Sequence, residues 1–141
     1  MLTNPFTGQT IEFVTDGEEL LVMESTYKPG GAPAPAHFHP DQEETFTVLS
    51  GAVETVIDGE PRTLREGDVL VIPAGTPHVF GGHATEPGTV RWETRPALRT
   101  REFFERMFAA LEANANPDAP GAQEAIAAFD FADYEDVFRA A

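Results

Sequence analysis

Hydrophobic and polar residues alternate with a period of two through the first two thirds of the chain, in short runs broken by glycine and proline. The runs cover residues 9–14, 19–27, 36–39, 44–50, 52–57, 61–64, 68–72, 78–80 and 89–95. Successive side chains of a strand point to opposite faces, so each run predicts a strand with one apolar and one polar side. Asp58-Gly59 supplies the positive φ that a two-residue hairpin requires, and the runs on either side of it are expected to pair antiparallel. Residues 73–77, PAGTP, mark another turn, where Gly75 is free to take φ > 0.

Near Pro96 the period changes. Leu98, Phe103, Phe104, Met107, Phe108 and Leu111 recur at helical spacing and predict an amphipathic helix over 97–115. Beyond the break at 114–121, two shorter helices are expected at 122–129 and 132–140, with Phe129, Phe131, Tyr134, Val137 and Phe138 as their apolar residues. The organisation expected is a β domain over 1–96 and a helical extension over 97–141 that packs on its outside or across one end. The aromatic stripe reads as core.

Composition narrows the chemistry. The length of 141 residues suits one domain, and 12 Gly with 12 Pro favour many short strands over a helical bundle. Cysteine is absent, so any metal is held by nitrogen and oxygen. A formal charge of −15, from 24 acids and 9 bases, argues against a phosphate-backbone partner, and no nucleic-acid role is expected. No apolar run approaches the roughly 20 residues that span a bilayer, and the N-terminal residues lack a basic n-region and an apolar h-region. The expectation is a cytoplasmic protein without a membrane partner.

Three of the four histidines fall in the β region's patterned runs. His37 and His39, two apart before Pro40, place both imidazoles on one strand face, because the residue before proline is pushed toward extended geometry. Glu44 shares its face with Phe46 and Val48, an acid above an apolar floor, while Glu43 is one residue out of phase. His78 follows the 73–77 turn directly; His83 lies in the turn-rich GGHATEPG and reads as a loop histidine. Phe80 shares a face with His78 and Phe38 faces away from His37 and His39. Trp92 and Thr94 alternate with Arg91, Glu93 and Arg95, and only one of these sets faces inward; Trp92 is favoured, with Arg91 toward a substrate carboxylate as the alternative.

Gly31, His37, His39, Glu44 and Gly51, followed by Gly67, Pro73, Gly75 and His78, resemble the two motifs of the cupin family in nine of ten positions. Gly82 stands where the second motif has asparagine, which is not one of that family's metal ligands. The resemblance spans roughly residues 5–96 and implies an all-β fold, the double-stranded β-helix or jelly-roll barrel, here with a C-terminal α-helical extension. It implies one divalent transition metal, Fe, Mn, Ni, Cu, Co or Zn, held by His37, His39, Glu44 and His78. The six residues between Glu44 and Gly51 select Glu44 over Glu43. Phe46, Val48, Phe80 and Trp92 are then candidate pocket residues, and GGAPAPAH, 30–37, frames the mouth.

The enzyme favoured by the resemblance is a metal-dependent dioxygenase acting on a small chelating organic substrate, with Glu44 also a candidate catalytic base. An oxygen-independent isomerase, cyclase or lyase uses the same ligands, and a non-catalytic ligand-binding cupin is the third option. Open strand edges need cover, so a homodimer is expected.

Overall fold

The computed structural model describes residues 1–141. Its elements are β1 (Leu2–Thr3), β2 (Thr10–Asp16), β3 (Leu21–Tyr27), β4 (His37–Phe38), β5 (Glu43–Ile57), β6 (Glu60–Arg65), β7 (Val69–Ile72), β8 (His78–Gly82), β9 (Gly88–Arg95), α1 (Thr100–Ala115), α2 (Ala122–Ala128), a 3-10 turn (Phe131–Tyr134) and β10 (Arg139–Ala140). The runs at 44–50 and 52–57 are one strand of fifteen residues rather than two. The first half of β5 pairs with β9 and β7, and its second half with β8 and β6, so a single strand belongs to both faces of the barrel.

The crossover has a steric cause. The register between β5 and β9 shifts between Val48 and Ser50, and Gly51 follows at φ 68°. A Cβ on Gly51 would stand 1.8 Å from the Pro87 carbonyl oxygen, and one on Gly88 2.2 Å from that of Ala52. The two backbones approach closely enough that only glycine fits, which is how a bulge bends a strand. At the other end of β5, Asp58 (φ 50°) and Gly59 (φ 78°) form the expected hairpin, with Ile57 opposite Glu60.

Alternation along β5 places Glu44, Phe46 and Val48 inside, each at most 2% exposed. Stacked aromatics link the barrel to the first helix: Phe80 lies 4.0 Å from Phe46, Phe46 5.3 Å from Trp92, and Trp92 5.1 Å edge-on from Phe104 of α1. Such pairs contribute beyond their area burial, about 0.5–1.5 kcal/mol each. The helical stripe of α1 thus extends the barrel's core.

The end of the chain departs from the helical expectation for 132–140. Only a short turn forms there, opened by the Asp130 carboxylate accepting from the Ala132 N–H, and the backbone then straightens. Arg139 and Ala140 pair antiparallel with Phe38 and His37, and the Ala141 N–H donates to the Ala36 carbonyl. β4 pairs with β8 on one side only, and the tail satisfies its other edge. Helical periodicity in 132–140 lost to this unpaired backbone.

Gln42, 1% exposed, ties the barrel to α1: the two N–H groups of its Nε2 are shared among the carbonyls of Pro96 and Ala97 and the Thr100 hydroxyl at 2.8–3.0 Å. Replacing it with alanine leaves buried acceptors without a donor, so Gln42→Ala is expected to lower stability by about 1–3 kcal/mol in urea unfolding. A loss below about 0.5 kcal/mol, the level of a surface substitution, would show that the tie is not needed.

Candidate metal centre

β4 and β8 meet at a single pair of residues, His37 opposite His78, which brings two imidazoles together across one ladder rung. His39 follows β4 on the same side, and Glu44 enters from β5. Ring centroids lie 4.5 Å apart for His37–His78, 5.0 Å for His37–His39 and 5.2 Å for His39–His78. One ring nitrogen from each lies within 4.8 Å of the others, a spacing suited to a shared cation. All three histidines and Glu44 are at most 9% exposed.

Each ring is held by a backbone carbonyl. His37 Nδ1 meets the Pro35 oxygen at 2.8 Å, His78 Nδ1 the Thr76 oxygen at 2.8 Å, and His39 Nδ1 the Val137 oxygen from the C-terminal segment. A carbonyl only accepts, so every Nδ1 carries hydrogen and every neutral ring turns a bare Nε2 lone pair inward. Glu44 Oε2 accepts from the Trp92 indole N–H at 2.7 Å. Its Oε1 lies 2.9 Å from His39 Nε2 and 3.2 Å from His78 Nε2.

Those last contacts test the fit of a metal. His39 Nε2 and Glu44 Oε1 are buried without a hydrogen-bond partner, although 2.9 Å apart. With Nδ1–H donated to Val137, a neutral His39 presents an acceptor to an acceptor. The contact is favourable only with a cation shared between them, a proton or a metal ion. Nitrogen and carboxylate donors of this kind suit first-row divalent ions, and the residues present fit one.

Protonation follows the same arrangement. Burial pushes the His37 imidazole down to about 4, against the opposing pull of the Pro35 carbonyl, so the ring is neutral at pH 7. For His39 burial also opposes charge, but the Glu44 carboxylate beside it wins and raises its pKa above the ordinary value. Burial alone would raise Glu44; the two imidazoles facing it outweigh that and hold its carboxyl well below the usual carboxylate range. Glu44 is therefore an ionised acceptor facing the imidazoles.

The four groups close one part of a cavity of about 370 Å³. Phe46, Phe80 and Trp92 line it, as does the 31–35 segment of the expected mouth. Val48 does not: at 1% exposure it packs in the core beyond the cavity, one strand pair past Phe46. Glu43 is exposed and Phe38 half-buried, both off the cavity, and His83 sits in its loop with Nδ1 accepting from the Thr85 and Glu86 N–H groups. Arg91 and Arg95 lie outside, each within 3.1 Å of Glu93, which leaves Trp92 and Thr94 inward.

Several residues around the centre escape sequence reasoning. Phe103, Phe104, Met107, Phe108 and Leu111 are cavity wall as well as core; their spacing announces a buried face but not what it faces. Val137 and Phe138 read in the sequence as apolar residues of a helix, with nothing to place them at the histidines. Phe138 stacks on the His37 ring at 4.4 Å and 20°, while Val137 orients His39. Tyr27 adds a phenol to the wall, kept neutral because burial pushes its pKa up.

Residues 23–92, about half of the chain, match the family described as Cupin domain. The chain is 48% identical over 46 residues to the quercetin 2,3-dioxygenase of Bacillus subtilis (strain 168), covering 33% of this chain and 14% of that protein. It is 42% identical over 72 residues to the dimethylsulfoniopropionate lyase DddQ of Ruegeria pomeroyi (strain ATCC 700808 / DSM 15171 / DSS-3), covering 50% of this chain and 34% of that one. The crystal structure of that lyase aligns with a TM-score of 0.51 at 29% identity over 58% of this chain and 41% of that chain. An RmlC-like cupin from Shewanella frigidimarina NCIMB 400 aligns with a TM-score of 0.62 at 19% identity, over 72% and 87% of the two chains, a likeness of fold. The chain thus spans 14% and 34% of the two curated relatives' lengths. With a barrel of this topology, and a family match across the strands that carry the histidines and Glu44, the chain belongs to the cupin family.

Proposed function

We propose that this cupin binds one divalent transition metal through His37, His39, His78 and Glu44 and acts as a dioxygenase-type oxidoreductase on a small organic substrate that chelates the metal. The observation that carries this is the convergence of three imidazole Nε2 atoms and one buried carboxylate at an apolar cavity. A metal held there supplies Lewis-acid polarisation of a substrate oxygen and, for a redox-active ion, electron exchange with dioxygen. The protein's part is to fix the ligands and exclude water. Phe46, Phe80, Phe104 and Phe138 wall the cavity and Trp92 keeps the Glu44 carboxylate turned inward, so a flat substrate is desolvated and oriented as it enters. Similarity to a quercetin 2,3-dioxygenase supports oxygen chemistry. Similarity to a dimethylsulfoniopropionate lyase favours a second reading, metal-assisted elimination without oxygen. The two separate by turnover under argon: the dioxygenase stops and consumes one O2 per substrate in air, whereas a lyase continues at an unchanged rate.

Elemental analysis of purified variants tests the ligand set. His37→Ala, His39→Ala and His78→Ala are each expected to lose most of the bound metal, and His83→Ala to keep it. Equal loss in all four, or none in any, would contradict the assignment.

The C-terminal segment supplies a further test. Partners that orient a ligating histidine typically change metal affinity by about 10- to 100-fold when lost. Phe138→Ala, which removes the ring stacked on His37, and deletion of 137–141, which removes the carbonyl on His39, are expected to weaken metal binding by at least about tenfold in a chelator competition. Unchanged affinity would show that the tail merely covers the site.

A further inference from the structure

We infer that the cavity takes an organic anion: an apolar body whose oxygen-bearing head reaches the metal centre and whose second, acidic group is received at the mouth by Lys28. This rests on the proposed metal site and narrows its substrate class.

Of 24 acidic residues only Glu44 lines the cavity, and it is held between imidazoles; of nine basic residues only Lys28 does. Lys28 and Glu44 cancel, so the rest of the chain carries the whole net charge of −15 while the cavity lining is neutral, and positive with a divalent cation in place. In a molecule this acidic, cations find carboxylates readily. Arg62, Arg65, Arg91, Arg95, Arg99, Arg101 and Arg106 each lie within 4.0 Å of one. Lys28, the chain's single lysine, has none, and of the two unpaired cations it is the one on the cavity.

Lys28 is exposed at the edge of the cavity it lines. Its stem passes Gly8, where an added Cβ would stand 2.5 Å from Lys28 Cδ and where the φ of 78° favours glycine. The apolar stem packs while the ammonium extends into water at the rim. Asn4, Thr7 and Gln9 complete that rim with neutral donors and acceptors. From Tyr27, next in sequence to Lys28, an aromatic row leads to the candidate metal centre: Tyr27 lies 5.7 Å from Phe80, Phe80 4.0 Å from Phe46, and Phe46 5.3 Å from Trp92, which donates to Glu44. A cavity of about 370 Å³ falls in the range of small-molecule sites. Its two polar regions, one metal-binding and one cationic, are separated by apolar surface, which is the complement of an amphipathic acid.

Calorimetric titration of the protein as purified, with 4-phenylbutyrate and its neutral isostere 4-phenylbutyramide, tests this, the metal content of each preparation being measured alongside. The acid is expected to bind about five- to tenfold tighter than the amide, as for one charge-assisted hydrogen bond at a partly wet site. Lys28→Gln brings the two to within about twofold, the residue of a lost charge-assisted bond, with amide affinity and metal content unchanged, and Lys28→Arg keeps the preference. Equal affinities in the native protein, or no binding of either probe at millimolar concentration, would overturn the inference. So would a preference that survives in Lys28→Gln, since the acid then sits on the metal. Failure of the metal reading shows separately, as native protein without metal.

Discussion

Glu44 is a carboxylate at 2% exposure in an apolar barrel, and an ion in such a place costs several kcal/mol unless its surroundings compensate it. The compensation reaches across the molecule. One oxygen takes the indole N–H of Trp92 from β9, and the other faces His39 after β4 and His78 on β8. Those imidazoles are in turn fixed by carbonyls of the Thr76 turn and of Val137 near the C-terminus. A set of acceptors converging on acceptors is unfavourable without positive charge among them, so the compensation Glu44 requires makes the cluster a candidate cation site.

Bringing the cluster together depends on β5. Its first half presents Glu44 and Phe46 inward beside β9, while its second half aligns β8, so that Ile57 stands opposite His78 and His78 opposite His37. The bend at Gly51 sets the relation between those halves, and Gly51 is kept small by the Pro87 carbonyl rather than by any contact with the site. A motif glycine outside the cluster thereby governs where the histidines and Glu44 meet.

Much of this was legible in the residues. Alternation in 44–50 placed Glu44, Phe46 and Val48 on one face, the Asp58-Gly59 dipeptide announced its hairpin, and the helical stripe from Leu98 to Leu111 announced α1. Period-two geometry put His37 with His39 on one face and Glu44 with Phe46 on another strand, and the resemblance to the cupin motifs implied that these residues and His78 form one cluster. What escaped depends on distant backbone. Residues 132–140 have helical spacing, but the open edge of β4 claims Arg139 and Ala140, and that pairing carries Val137 and Phe138 onto the histidines. Val48 was misplaced for a similar reason: facing inward is a property of the strand, whereas bordering a cavity depends on how deep the opposing walls close. Gln42, polar between Asp41 and Glu43, gave no sign that it would be buried as the tie to α1.

The most direct test of the central claim is a crystal structure with anomalous scattering recorded at the absorption edge of the co-purifying metal. A single peak at about 2.0–2.3 Å from the Nε2 atoms of His37, His39 and His78 and from Glu44 Oε1, the distances expected of first-row metal ligands, is the result the account predicts. A structure from metal-supplemented protein with no peak there, and with a proton-bridged His39–Glu44 contact in its place, would contradict it.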